Sequence, residues 1–159
     1  MAITQAVCSR FKKELLDGDH SFKQTGGDTF KLALYTSSAT LNANTATYST
    51  NPGGGSNTEV ANSGTYSAGG KALVNTGTSV ASAVAITNFS NLSFTGVTIT
   101  ARGALIYNTT MGAGSGTTDA VVVLDFGSDK TATSGTFTIQ FPAFTTAAAI
   151  LRISIFFQG

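Results

Sequence analysis

TFKLALY, residues 29 to 35, alternates Phe30, Leu32 and Leu34 with Lys31, Ala33 and Tyr35. A period of two puts each set on one side of an extended chain, which predicts a half-buried strand. The same pattern recurs outward from it. SVASAVAIT (79 to 87) sets Val80, Val84 and Ile86 on one face. NLSFTGVTIT (91 to 100) carries Leu92 and Phe94 in one phase and Val97 and Ile99 in the other, so a bulge or bend belongs at Gly96. RGALIYN (102 to 108), AVVVLDF (120 to 126), GTFTIQF (135 to 141) and AILRISIFF (149 to 157) complete the set. MGAGSG (111 to 116) and GSDKTATSG (127 to 135) separate three of these as hairpin-length connections.

Between the first strand and the rest lies a Gly-, Ser- and Asn-rich stretch with NPGGGSN (51 to 57) at its centre and SAGG (67 to 70) near its end. Residues 51 to 70 read as a long exposed loop, because three consecutive glycines maximise backbone freedom and little there is suited to burial. The Thr- and Ala-rich region 43 to 50 adds a strand if it pairs. Six to eight short strands without intervening helices define an all-β chain, an antiparallel β-sandwich or jelly-roll.

One helix is expected, at about residues 3 to 17. Ile3, Val7, Cys8, Phe11 and Leu15 fall on one stripe, with Arg10, Lys12, Lys13 and Glu14 outward and Gly18 as the stop. It serves either as a core cover or as an arm for a partner. The chain thus divides into an N-terminal helix and arm, 1 to 28, and a single β-sandwich domain, 29 to 159.

With 159 residues the chain fits one ordinary domain. Charged residues make up 11% of it, against a usual figure of about 25%. The net charge of +1 removes the basic footprint that nucleic-acid binding needs. No apolar run approaches the roughly 20 residues of a membrane helix, so neither partner class is expected. Residues 32 to 159 carry only Lys71, Arg102, Lys130, Arg152, Glu59, Asp119, Asp125 and Asp129. Their polar surface is Thr, Ser and Asn, which repels other proteins poorly. Cys8 is the sole cysteine and forms no internal disulfide. The early Arg10, Lys12 and Lys13 interrupt any signal-peptide apolar core.

Catalytic chemistry has few candidates. His20, the only histidine, sits in DGDHSF, which reads as a solvated turn rather than part of a triad or metal loop. Zinc requires three or four ligands, which one His and one Cys do not supply. SAGGKA fails the phosphate-loop pattern in spacing and lacks its hydroxyl, and GAGSG matches neither nucleotide-binding nor nucleophile-elbow frames. Asp125, inside VVLDFG, reads as a half-buried acid that pairs with Arg102 or Arg152 or caps the next turn. No catalytic residue, cofactor or metal ligand is assigned, and the chain is not expected to be an enzyme.

FKLALYTSSATLNANTATYST (30 to 50), SAGGKAL (67 to 73), ITARGALIYN (99 to 108) and VVLDFGSDKTATSGTFTIQFP (122 to 142) resemble a family of small virion structural proteins of tailed bacteriophages. The resemblance begins with the opening MAITQAVCSRFKKELLDGDHSF and runs through most of the chain. It implies a capsid cement or decoration protein on the outside of the head, made in the bacterial host cytoplasm. Its partners would be the major capsid protein and further copies of itself in a homo-oligomer. A neck or tail component, such as a fibre adaptor or receptor-contacting module, is the alternative. Two surfaces are candidates for these contacts: the stripe Ile3, Val7, Phe11 and Leu15, and the terminal Phe156 and Phe157 at an apolar strand end.

Overall fold

The computed structural model describes residues 2 to 110 and 118 to 154. Among them are β1 (Ala6–Val7), α1 (Ser9–Asp17), β2 (Phe30–Tyr35), β3 (Lys71–Ala72), β4 (Asn75–Ala81), β5 (Val84–Phe89), β6 (Leu92–Asn108), β7 (Asp119–Ile139) and β8 (Leu151–Ile153). They form an all-β sandwich of two antiparallel sheets, ordered β1-β7-β6-β2-β3 and β4-β5-β8, with one short helix. These strand orders establish the sandwich; they do not establish a jelly-roll.

β6 and β7 are longer than the sequence pattern suggests. NLSFTGVTIT and RGALIYN are one strand, and GSDKTATSG is not a connection but part of β7. The ladder runs from Leu92↔Ile139 to Asn108↔Asp119, with register shifts near Gly96, beside Arg102 and at Ile106/Tyr107. Bulges absorb the phase changes that, in a sequence, look like strand ends. Gly96, Gly127 and Ser134 take positive φ along this hairpin. MGAGSG, expected as the turn, lies outside the described residues.

SVASAVAIT is likewise not one strand. Ser82 and Ala83, at φ 51° and 61°, turn the chain between β4 and β5, pairing Ala81 with Val84. Two successive positive-φ residues make the tight hairpin turn usually signalled by Asn-Gly or Gly-Gly. Ser-Ala gives no such signal.

The N-terminal helix is shorter than expected, because strand pairing takes the backbone before it. Thr4 N–H donates to Leu41 O, Cys8 N–H to Val121 O and Ser9 N–H to Ala43 O, while Ala6 and Val7 pair with Val123 and Val122. Cys8 is extended at the N-cap, and α1 ends at Gly18, whose left-handed backbone lets its N–H reach Glu14 O and Leu15 O.

β2 is covered on both faces rather than one. Phe30 packs against Phe22 and Phe89 on the side of the three-stranded sheet. The opposite face, with Ala33, Tyr35 and Tyr107, is roofed by the loop that the sequence reading left exposed. Within that loop Thr58, Glu59, Val60 and Tyr66 are buried. The Glu59 carboxylate accepts from Tyr48 Oη at 2.8 Å, Tyr66 Oη at 2.9 Å and Gly69 N–H at 2.6 Å. Tyr107 Oη donates to Gly69 O at 2.6 Å, and Tyr35 Oη to Ser49 O. Tyr66 Oη also accepts from Leu34 N–H, tying the roof to β2. The roof lies so close that a Cβ on Gly70 would sit 1.7 Å from Leu32 O.

All four tyrosines therefore surround one carboxylate, and burial first, then the Glu59 charge, pushes Tyr35 and Tyr107 upward. Tyr107 is raised from 10.0 to about 12. An unfolded phenol releases its proton near 10, so between 10 and 12 the folded state binds more protons than the unfolded one. Stability supplied by this group is intact below pH 10 and is lost as pH rises through 12. We expect the ultraviolet phenolate signal to stay low above pH 10 and then to rise together with loss of circular dichroism. Ionisation of the tyrosines at ordinary pH without unfolding would contradict the buried cluster. Glu59→Gln should lower stability by about 1–3 kcal/mol, measured by denaturant unfolding, because buried donors lose an ionised acceptor.

Candidate functional site

An open, largely apolar cleft of about 560 Å³ lies between α1 and the three-stranded sheet. One wall is Val7, Phe11, Leu15 and Leu16; the other is Ala85, Leu151 and Ile153, with Phe22 contributing beside them. The sheet wall follows from register. Val80↔Ala85↔Ile153 is one row, and Thr78↔Thr87↔Leu151 is the next row on the same face. Phe89 lies on that face too and packs against Phe30, so this is the side turned toward the core. Thr87 and Leu151 are buried, but the row at the hairpin tip is not: Val80 is 70% exposed and Ile153 57%. Leu16, across the cleft, is 89% exposed. The core-facing surface of the small sheet thus extends beyond the described residues that cover it.

The candidate interface residues meet different fates. Val7, which lies in β1 and not on the helix, and Leu15, on α1, are both partly buried against the core and line the cleft. Phe11 lines it but is itself 1% exposed, held by His20 and Phe22, and is a core residue more than a contact surface. Ile3 is not on the helix at all; it is buried, bridged to Leu41, and a Cβ on Gly103 would meet its side chain at 2.9 Å. Phe156 and Phe157 lie outside the described residues. Leu16 and Ile153 were not singled out in the sequence, and Val80, expected on one face with Val84 and Ile86, lies instead on the face of Ala85 because the chain turns at Ser82-Ala83; periodicity assigns apolar residues to the core and does not reveal an overhang.

The polar residues around α1 also differ from expectation. Glu14 points inward, not outward. It joins Arg10 Nε at 2.5 Å and His20 Nε2 at 2.8 Å, and His20 Nδ1 faces Asn108 Nδ2 at 2.9 Å. Asn108 Nδ2 also donates to Asp28 at 2.7 Å. An amide N–H can only donate, so Nδ1 accepts and Nε2 carries the proton given to Glu14. His20 is a buried link between helix, arm and β6, with both ring nitrogens engaged, and not a solvated turn residue. The spacing Glu14 to His20 gave no signal, because a turn rather than a helix joins them.

Asp125 pairs with Arg102 at 3.1 Å and accepts Gly127 N–H at 2.8 Å. The Gly127 N–H first, then Arg102, holds its carboxyl below the usual range. Both alternatives read from the sequence therefore occur together. A second cleft of about 490 Å³ adjoins it, with Phe126, Phe137 and Phe141 in its lining. Burial raises the Cys8 thiol to about 12, which keeps it un-ionised and poorly nucleophilic. Among the described residues no three of His, Cys, Asp and Glu are placed to hold a metal ion, and no helix is long and apolar enough to cross a membrane.

Two residues of the helix wall should respond very differently to substitution. Phe11→Ala removes a fully buried ring and should cost about 3–5 kcal/mol in denaturant unfolding. Leu16→Asp should change stability by no more than about 0.5 kcal/mol, since its side chain is already in solvent. A large loss for Leu16→Asp would show that the cleft is closed in solution. No protein-family profile, curated protein or solved structure matches this chain.

Proposed function

We propose that the chain is a non-enzymatic structural protein of a tailed-phage virion, a cement or decoration protein that binds the outside of the capsid lattice. The observation that carries this reading is the open apolar cleft among the described residues, on a domain whose residues 32 to 159 hold only eight charged side chains. A surface of Thr, Ser, Asn and Ala costs little to desolvate and repels little. The sequence resemblance to small virion proteins supplies the setting, with the major capsid protein and further copies of the chain as partners.

The mechanism is mass action. A protein that binds only the assembled lattice stabilises it by about 2.7 kcal/mol per site when present at 100 times its Kd. Many weak copies spanning neighbouring subunits then add to a large effect. Purified protein should co-sediment with empty capsids, and quantitative mass spectrometry of virions should find hundreds of copies. A small multiple of three or six, with binding to purified tails instead of capsids, would transfer the assignment to the neck or tail.

A further inference from the structure

We infer that the outer edge of β4 is a self-association surface, on which two copies of the chain pair antiparallel about a two-fold axis at Ser79. β4 ends its three-stranded sheet, with β5 on one side and no strand on the other among the described residues. Ala81 and Val84 close a two-residue turn, which makes them a hydrogen-bonded pair. Alternation along the ladder then turns the N–H and C=O of Val80 and Thr78 away from β5. Nothing among the described residues bonds to these four groups. Thr78, Ser79, Val80 and Ala81 are all exposed. Before Thr78 the edge is closed: the ladder shifts register, Gly77 N–H donates to Asn75 Oδ1, and a Cβ on Gly77 would meet that of Gln24 at 3.3 Å.

The other sheet edges carry devices that discourage pairing. β1 and β3 are two residues long, and β3 begins with Lys71. β8 is three residues long with Arg152 in the middle, so two copies paired there would set arginine against arginine. The outer side of β7 beyond β1 carries Asp125, Asp129 and Lys130, and it is interrupted at Gly127 and Ser134, both with positive φ. The free stretch of β4 has none of these: residues 72 to 101 contain no charged residue and no proline.

A second copy fits this edge by its own register. With Ser79 opposite the partner's Ser79, Thr78 falls opposite the partner's Val80, and Val80 opposite the partner's Thr78. Each of these last two pairs exchanges two backbone hydrogen bonds, so the four free groups of each copy are all satisfied. Thr78 and Val80 are β-branched and lie on one face, a favourable cross-strand combination, and Val80, 70% exposed in the single chain, is covered by the partner's Thr78. A neutral edge offers no charge by which to select a different protein, and it sets none against itself. The contact is isologous, so it stops at two copies and joins two three-stranded sheets into one of six. So short a pairing lies at the small end of interface sizes, which makes the dimer concentration-dependent. The surface is read from the fold alone and holds whether or not the chain belongs to a virion.

Sedimentation of the full chain over a range of concentrations, combined with amide hydrogen exchange, tests the pairing. The wild type should pass from monomer to dimer as concentration rises, and exchange at the Thr78 and Val80 N–H groups should slow in step, because no other described residue holds them. Ser79→Lys and Ser79→Glu each set like charges directly opposite one another and should weaken the dimer by about tenfold. Mixed in equal amounts, the two variants should pair again as a heterodimer, which requires both to be folded. Lys71→Glu, on an edge of the other sheet, should change association by less than about twofold. Ser79 is exposed, so both of its variants should unfold at the wild-type temperature. A monomer at every concentration, a dimer indifferent to both Ser79 variants, or no recovery on mixing would overturn the proposal. Capsid sedimentation is independent of it. A chain that dimerises without binding capsids loses the virion assignment alone, and one that binds capsids while remaining monomeric loses the β4 contact alone.

Discussion

The antiparallel ladder between β6 and β7 is the interaction on which the other elements depend. It is the longest pairing in the molecule, and both its flanks are used: β2 adds to β6, and β1 adds to β7. Val121, Leu105 and Ile106, all fully buried, sit in the half of this ladder nearest its turn. Because side chains alternate with period two, a slip of one residue would exchange the faces of this hairpin and dismantle both the core and the polar cluster under the roof. The bulges allow two long strands to keep their apolar faces aligned while bending, and a straight ladder of this length would not follow the twisted core.

Polar burial is concentrated in two places, and each joins segments far apart in sequence. Glu59 with Tyr48, Tyr66 and Gly69 fastens a glycine-rich loop to the five-stranded sheet. Glu14, His20, Asn108 and Asp28 fasten the helix and arm to the end of β6. In a chain with so few charges, these acids are spent inside rather than on the surface. Each carboxylate is surrounded by donors, which is the condition under which a buried charge is tolerated.

Class and strand content were legible from alternation and turn composition, since TFKLALY and AVVVLDF carry their period openly. The continuous β6 and β7 were not, because a bulge looks like a terminus when only the phase of apolar residues is read. The Ser82-Ala83 turn was invisible for a different reason: its residues adopt positive φ under the constraint of the flanking strands, against their own preference. The helix start was misplaced because Ile3 and Val7 fit a helical stripe, while their backbone groups find partners in Leu41 and β7. Tertiary pairing outweighs local propensity there. For the cleft, Val7 and Leu15 were readable as an apolar stripe. Leu16, Val80 and Ile153 were not, because exposure depends on where the opposing sheet stops.

The pairing of Ala6 and Val7 with Val123 and Val122 also imposes an order on biosynthesis. The first strand leaves the ribosome long before its partner, and at about 5–20 residues per second the delay lasts several seconds. During that interval α1 lacks β7 to pack on, and its apolar stripe is open to any chaperone or neighbouring nascent chain. β1 therefore waits for β7, and the contact that closes this edge of the five-stranded sheet forms after the hairpin it joins.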